Sequence, residues 1–132
     1  MNPYQKQVDF FILEAKRHFK TAVSLYKGKH YDWSLFVGHL TLEKLLKAAV
    51  IVATNKPAPY IHNLQELAKR ARLELSVQQI ADLGEITTFN LAVRYEAEQY
   101  AFYKKCAAAY AKKWLRKIEK FKLWLEKNLS NP

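Results

Sequence analysis

The sequence predicts an all-α protein, folded as an antiparallel up-and-down bundle of four to five helices. Over most of the chain, apolar residues recur at steps of three and four, which is the period of an amphipathic helix. No segment alternates polar and apolar residues for long enough to predict a strand. With three glycines, four prolines and half of its residues apolar, the chain has little turn material, so disorder is not expected. We expect one domain over residues 1–132.

The first two predicted helices are long. The first ends near Gly28, and Asp32 is the expected N-cap of the second, which continues to about Thr54. Pro57 and Pro59 then interrupt the chain, because each disfavours the helical conformation in the residue before it. The apolar positions of the first helix are Val8, Phe11, Ala15, Phe19, Ala22, Val23 and Tyr26.

The later helices have clear start signals. Asn63 can cap a short third helix, and Ser76 with Gln79 three residues later forms a capping-box pattern that opens a fourth. We expect the fourth helix to run on as far as Val93. The last helix is predicted to be the longest, and its apolar positions are Ala107, Tyr110, Trp114, Ile118, Phe121, Leu125 and Leu129.

A polar stripe interrupts the second predicted helix, which is otherwise apolar. His39, Glu43 and Lys47 stand at four-residue intervals and so share one face. Burying an acid and a cation without partners is costly, so the stripe either pairs internally or lines a groove. His62 follows in the loop before the third helix, where it either fixes the loop by hydrogen bonds or joins the stripe.

Positive charge is concentrated at the end of the chain. Nine of the 22 lysines and arginines, but only two of the 12 acidic residues, lie from residue 104 onwards. Such a face attracts a polyanion or an acidic protein, or it serves only as a solvated surface that keeps the protein soluble. The nine are Lys104, Lys105, Lys112, Lys113, Arg116, Lys117, Lys120, Lys122 and Lys127.

Several classes of function have no motif in this sequence. The chain has no glycine-rich phosphate loop, no dinucleotide-binding fingerprint and no nucleophile elbow. Its four histidines lack the spacing of a zinc site, so we expect no metal and no cofactor. Cys106, the single cysteine, is either a reactive thiol beside two lysines or a small apolar filler in a helix.

The location of the protein is predicted from the same sequence. One cysteine excludes an internal disulfide and suits a reducing compartment. Residues 1–11 lack the pattern of a signal peptide, and the longest near-apolar run, residues 45–53, contains Lys47 and is too short to span a bilayer. We therefore expect a cytoplasmic protein without membrane contact.

Taken in order along the chain, these motifs carry a family resemblance. They are residues 31–34 (Tyr-Asp-Trp-Ser), His39, residues 42–48 (Leu-Glu-Lys-Leu-Leu-Lys-Ala), residues 62–64 (His-Asn-Leu), Leu67, Arg94 and Tyr95. The succession resembles the HEPN domain family over almost the whole chain. The resemblance implies a bundle of four to five helices that is commonly a homodimer. It also implies a separately encoded minimal nucleotidyltransferase as partner, in a toxin–antitoxin pair whose helical member binds nucleotide or, in active toxins, cuts RNA.

The sequence departs from the ribonuclease members of that family at one motif. Those members carry an arginine, four to six intervening residues and then a histidine. After Arg94 the three permitted positions hold Gln99, Tyr100 and Ala101. Without a histidine there, the usual general acid and base for RNA cleavage is missing, so we expect no catalytic residues.

We therefore expect a nucleotide-binding domain. The predicted site uses cations for the phosphates and an aromatic ring for the base, with three further polar residues to orient them. The nucleotide-binding residues are Lys44, Lys47, Arg94 and Tyr95, and the supporting polar residues are His39, Glu43 and His62. An ordinary ion pair of Arg94 with Glu96 or Glu98 is the structural alternative for that arginine.

Two other functions remain open at this point. The protein could bind RNA or another polyanion through its basic last helix, in which case the stripe on the second helix is purely structural. It could also be a residual ribonuclease that uses Arg94 and Tyr100.

Overall fold

The fold is entirely helical over residues 2–130, which a computed structural model describes. This part of the chain contains six α-helices, one short 3-10 turn and no strand, which confirms the predicted fold class. The expected domain ends at 1 and 132 lie outside the described residues. The helices are α1 (Gln5–Lys27), α2 (Tyr31–Thr54), α3 (Leu64–Arg70), α4 (Val77–Thr87), α5 (Glu96–Lys105) and α6 (Ala108–Ser130), and the 3-10 turn is Leu91–Val93.

Helix α2 is the centre of the bundle. It packs most extensively against α1, then against α6, and less extensively against α3. Leu35, Leu42 and Leu45 on this helix are completely buried. Each such side chain contributes about 1.5–3 kcal/mol through burial of apolar surface. Because α2 is covered on several sides, its polar stripe lies inside the protein.

A tight turn joins α1 to α2. Helix α1 ends at Lys27, and the Gly28 backbone N–H donates to the Ser24 carbonyl at 3.0 Å. Lys29 takes a left-handed conformation with φ of 65°, which reverses the chain. The predicted N-cap was wrong, because His30 occupies that position. Asp32 lies in the first turn of α2, where its negative charge interacts favourably with the positive end of the helix dipole.

The predicted caps of α3 and α4 are confirmed. The Asn63 side chain accepts a hydrogen bond from the Glu66 backbone N–H at 3.0 Å. At the start of α4, the Gln79 N–H donates to the Ser76 hydroxyl at 3.1 Å, and the Ser76 N–H donates to the Gln79 side chain at 2.9 Å. Both caps satisfy backbone groups that have no partner within the helix.

The expected end of the fourth helix was wrong. Helix α4 ends at Thr87 and does not continue to Val93. Asn90 is extended, and its side chain accepts a hydrogen bond from the Ala92 N–H, which starts the 3-10 turn instead. Helix α5 then forms as a separate element with Phe102 as its one buried residue, so its sequence has no apolar stripe from which it could be recognised.

Helices α2 and α6 approach each other closely at Gly38. A Cβ placed on this glycine lies 2.9 Å from Cδ1 of Ile118, which is fully buried. The absence of a side chain at Gly38 thus lets α6 pack on α2. Over the described part of the chain, no helix combines the length and apolar character needed to cross a bilayer.

Candidate functional site

Glu43 is the centre of a buried polar cluster. Its Oε1 accepts a hydrogen bond from Nδ1 of His62 at 3.0 Å, and its Oε2 lies 3.5 Å from Nζ of Lys47. Nε2 of His39 lies 3.9 Å from Oε1. The Glu43 side chain is only 6% exposed, so these contacts hold its charge in a region of low dielectric. We call His39, Glu43, Lys47, Tyr60 and His62 the Glu43 cluster.

Local sequence explains how these residues meet. His39, Glu43 and Lys47 follow the four-residue step of α2 and share one face, as the sequence predicted. His62 arrives from the loop after α2, which the capped start of α3 holds in place. The Leu64 backbone N–H also donates to the Thr87 hydroxyl at 3.1 Å, and this bond holds the N-terminus of α3 against the C-terminus of α4.

His39 is the most deeply buried member of the cluster. Its side chain is fully inaccessible, and burial lowers the pKa of the imidazole to about 4, with the Glu43 charge acting in the opposite direction. Neither ring nitrogen has a hydrogen-bond partner within residues 2–130. The ring stacks on Phe36 with centroids 6.3 Å apart. His39 is therefore neutral at pH 7 and packs as an aromatic residue.

The outer edge of the cluster is open to solvent. The His62 side chain is 46% exposed, and Tyr60 is 93% exposed. The two rings meet edge to face with centroids 5.5 Å apart, and Nζ of Lys47 lies 5.9 Å from the Tyr60 centroid. A flat ring and a half-exposed imidazole thus stand at the surface above Glu43, and the Lys47 side chain, only 11% exposed, lies close behind them.

Tyr60 was not among the predicted site residues. The signal in the sequence was weak, because a single aromatic residue after Pro59 in a loop is common on protein surfaces. Its significance depends on the long-range contact that brings His62 to Glu43, and sequence spacing does not reveal that contact.

The other predicted nucleotide-binding residues lie elsewhere. Nζ of Lys44 is 5.4 Å from the ring of Phe11, so this lysine faces α1. The Arg94 guanidinium donates to the Thr88 carbonyl and stands 5.8 Å from the ring of Phe102. Tyr95 is 83% exposed at the N-cap of α5.

The structure therefore brings together only part of the predicted set. Among residues 2–130, no hydrogen bond, ion pair or ring contact joins Arg94 or Tyr95 to the Glu43 cluster. The alternative of an Arg94–carboxylate pair is not observed either, because Arg94 bonds to a backbone carbonyl. Tyr100, the other residue of the ribonuclease alternative, stacks on Tyr103 with centroids 6.0 Å apart.

Cys106 and the histidines are the other candidate groups in the sequence. Cys106 is buried, and burial raises the pKa of its thiol to about 12, which fits the role of an apolar filler. In the part of the chain that the structure describes, no group of three or more His, Cys, Asp or Glu side chains is arranged to hold a metal ion.

The basic end of the chain is only partly neutralised. Lys105 pairs with Glu85, Lys117 with Asp82, and Lys122 with Glu126, at distances of 3.0–3.1 Å. The remaining six basic residues of this segment are exposed and form no ion pair within residues 2–130: Lys104, Lys112, Lys113, Arg116, Lys120 and Lys127.

The chain matches the model of a known protein family. The family model described as the HEPN domain matches residues 8–128, which is nearly the whole chain. No curated protein matches this chain, and no solved structure matches it either.

Proposed function

This chain belongs to the HEPN domain family, and from that premise we propose that it is a cytoplasmic, non-catalytic domain that binds a nucleotide. We further propose that it acts with a separately encoded minimal nucleotidyltransferase in a toxin–antitoxin-type pair, and that it forms a homodimer. Family membership supports the partnership.

The surface edge of the Glu43 cluster is the observation on which the nucleotide proposal depends. Tyr60 is almost fully exposed next to Lys47 and His62. An exposed aromatic ring offers a face on which a base can stack, and a neighbouring ammonium or imidazolium group binds phosphate oxygens. This combination supports a nucleotide more than it supports an uncharged ligand.

Glu43 lowers the nucleotide affinity expected of such a site and fixes the orientation of the groups around it. Its carboxylate already neutralises much of the Lys47 charge at 3.5 Å, so a phosphate has to share that cation. The same carboxylate holds His62 at 3.0 Å and so orients the imidazole beside Tyr60. We expect a weak but ordered site, with dissociation constants for nucleoside triphosphates on the order of 0.1–1 mM.

Calorimetric titration with ATP, GTP and UTP tests the proposal. Tyr60→Ala removes the stacking ring and leaves the buried part of the cluster intact, so we expect it to weaken binding about tenfold. Tyr103→Ala makes the same substitution at an exposed tyrosine on α5 and is the matched control. It should bind nucleotide as the wild type does. Absence of heat with all three nucleotides at millimolar concentration contradicts the proposal.

A second variant decides between the two possible positions of the base. If Tyr95→Ala abolishes binding and Tyr60→Ala does not, the base stacks on Tyr95 at the start of α5, the ring that the sequence predicted for it. Lys44→Ala belongs in the same series, because Lys44 faces α1 and its loss should leave binding at Tyr60 unchanged.

The partnership and the absence of catalysis have their own tests. Light scattering of the purified chain should give the mass of a dimer, and the product of an adjacent transferase gene should co-purify with the chain when the two are expressed together. Labelled RNA should remain intact on incubation with the protein. Cleavage that Arg94→Ala abolishes would contradict the non-catalytic assignment.

A further inference from the structure

A groove lies on the surface between α1 and α6. Both helices pack on α2 but scarcely touch each other, which leaves the space between them open. The larger part of the groove has a volume of about 910 Å³ and is lined by Ile12, Leu13 and Phe19 of α1. A hollow of about 190 Å³ shares Phe19 and continues the groove to Tyr26. We call the two together the α1–α6 groove.

The floor of the groove is apolar and long. Ile12, Phe19 and Val23 of α1 and Leu115 of α6 form it, and Leu13 is 65% exposed at its edge. At 1.5 Å per residue, the stretch of α1 from Ile12 to Tyr26 spans roughly 21 Å. That length accommodates about four turns of a helix lying alongside.

The rims of the groove are positively charged. Arg17 is neutralised by Glu14 at 2.7 Å, and Lys122 by Glu126 at 3.0 Å. Glu119 is the other carboxylate that lines the groove. Four cations of the rims form no ion pair within the described residues: Lys16, Lys20, Lys112 and Arg116.

We propose that the α1–α6 groove binds an acidic amphipathic helix of a partner protein. Apolar side chains of that helix, spaced at i, i+3, i+4 and i+7, fill the floor between Phe19 and Leu115. Asp or Glu residues on both sides of its apolar stripe meet the unpaired cations on the two rims. The charge of the rims thus selects an acidic helix over a basic one.

The aliphatic part of the floor (Ile12, Val23 and Leu115) favours a protein over a nucleic acid. RNA binds mainly through phosphates on cations and bases stacked on aromatic or guanidinium planes, so it leaves surfaces such as Ile12 and Leu13 uncovered. A helix with leucines covers them and removes them from water. The inference is independent of the nucleotide proposal, because no residue of the Glu43 cluster lines this groove.

Fluorescence anisotropy with a labelled synthetic peptide tests the inference on the full chain. The probe is a helical peptide of about 18 residues with a leucine stripe flanked by glutamates. Two comparison probes are the same peptide with lysine in place of each glutamate, and oligouridylate. We expect the acidic peptide to bind with a Kd on the order of 10 µM, and to bind more weakly as salt increases.

Two variants of the groove locate the binding. Leu13→Asp places a carboxylate on the apolar edge, and Lys16→Glu with Lys20→Glu reverses one rim; each should weaken peptide binding at least about tenfold. Because all three residues are exposed, folding should be retained, and circular dichroism checks this.

Matched controls make the same chemical changes outside the groove. Leu123→Asp alters an exposed leucine on α6, and Lys6→Glu with Lys27→Glu reverses two exposed charges at the ends of α1. Both should bind as the wild type does. The inference is overturned if no acidic peptide binds at about 1 mM, if the basic peptide or oligouridylate binds as tightly, or if the controls lose as much affinity as the groove variants.

Discussion

Nδ1 of His62 donates to Oε1 of Glu43 across 3.0 Å, and the two residues are 19 positions apart in the chain. This bond joins the loop after α2 to the centre of that helix. It also places the half-exposed imidazole beside Tyr60 at the surface. Any change at Glu43 therefore affects both the buried ion pair with Lys47 and the position of the loop.

Glu43 and Lys47 should be strongly coupled in stability. Glu43→Leu leaves a lysine ammonium in a buried position without its partner, and we expect a loss of about 3–5 kcal/mol in the free energy of unfolding. Lys47→Met leaves Glu43 with His62 and should cost about 2 kcal/mol. The double variant should lose less stability than the sum of the two single losses, because neither charge of the pair remains buried. Urea denaturation followed by circular dichroism measures all three values.

The exposed pair Glu66 and Arg70 is the control for this cycle. It has the same four-residue spacing, with a distance of 3.2 Å, but its side chains are 44% and 51% exposed. Glu66→Leu with Arg70→Met should show a coupling below about 0.5 kcal/mol. Equal coupling at the two pairs would contradict the view that burial gives Glu43 its importance.

Stability should fall as the pH is lowered from about 6.5 to about 4. Burial lowers the pKa of His39 to about 4 in the folded protein, whereas an unfolded histidine titrates near 6.5. Between these values the unfolded state binds a proton that the folded state does not, so acid favours unfolding. His39 alone should remove up to about 3 kcal/mol by pH 4. Urea denaturation at a series of pH values measures this loss.

His39→Leu isolates the contribution of this residue. Leucine removes two ring nitrogens that have no hydrogen-bond partner in the described structure, so stability at pH 7 should be unchanged or higher by up to about 1 kcal/mol. The variant should also lose less stability than the wild type between pH 6.5 and 4. Burial lowers the pKa of His18 as well, which leaves a smaller dependence of the same sign. If His39→Leu and the wild type show the same dependence of stability on pH, His39 is not buried in its neutral form.

Alanine should destabilise the protein at Gly38 but have almost no effect at Gly84. At Gly38, a Cβ comes within 2.9 Å of Cδ1 of the fully buried Ile118. Overpacking costs about 1–3 kcal/mol, and the gain of about 1 kcal/mol in helix propensity offsets only part of it. For Gly38→Ala we expect a net loss of about 1 kcal/mol in the free energy of unfolding, measured by urea denaturation.

The alanine at Gly84 meets a neighbour that can move. Its Cβ lies 2.7 Å from Nε2 of Gln65, a partly exposed side chain that donates to the Ile80 carbonyl at 2.8 Å. Losing this bond is balanced by the helix propensity of alanine, so stability should change by less than about 0.5 kcal/mol. Equal losses for Gly38→Ala and Gly84→Ala would contradict the close approach of α2 and α6.

Cys106 should be unreactive in the folded protein. Its thiol is buried and burial raises its pKa to about 12, so almost no thiolate exists at pH 8. Labelling with a disulfide reagent should be at least about a hundredfold slower than in denaturing urea. A Cys106→Ala variant that carries Ala109→Cys, at an exposed position of α6, should label rapidly in the folded state. Rapid labelling of the native wild type would place Cys106 at the surface.

The sequence was most informative where a signal is local. The polar stripe of α2 was predicted from the four-residue spacing of His39, Glu43 and Lys47, because that spacing alone determines which face they share. The caps at Asn63 and Ser76 were predicted for the same reason, since each depends on atoms only three residues apart.

The remaining features depend on contacts between distant residues or on weak patterns. The bond from His62 to Glu43 requires the loop to fold back on α2, and the position of Tyr60 follows from it. Helix α5 buries only Phe102, so no apolar period marked it. Asp32 is a good capping residue, but the turn at Gly28 starts α2 two residues earlier than a cap at Asp32 allows.

The short connection between α1 and α2 has a consequence for how the chain assembles during synthesis. Two long helices joined by residues 28–30 pay little loop-closure entropy, so this hairpin can form soon after both helices leave the ribosome. Helix α6 is made more than fifty residues later. Until then the surface of α2 around Gly38, which Leu115 and Ile118 of α6 cover in the folded protein, stays open to solvent.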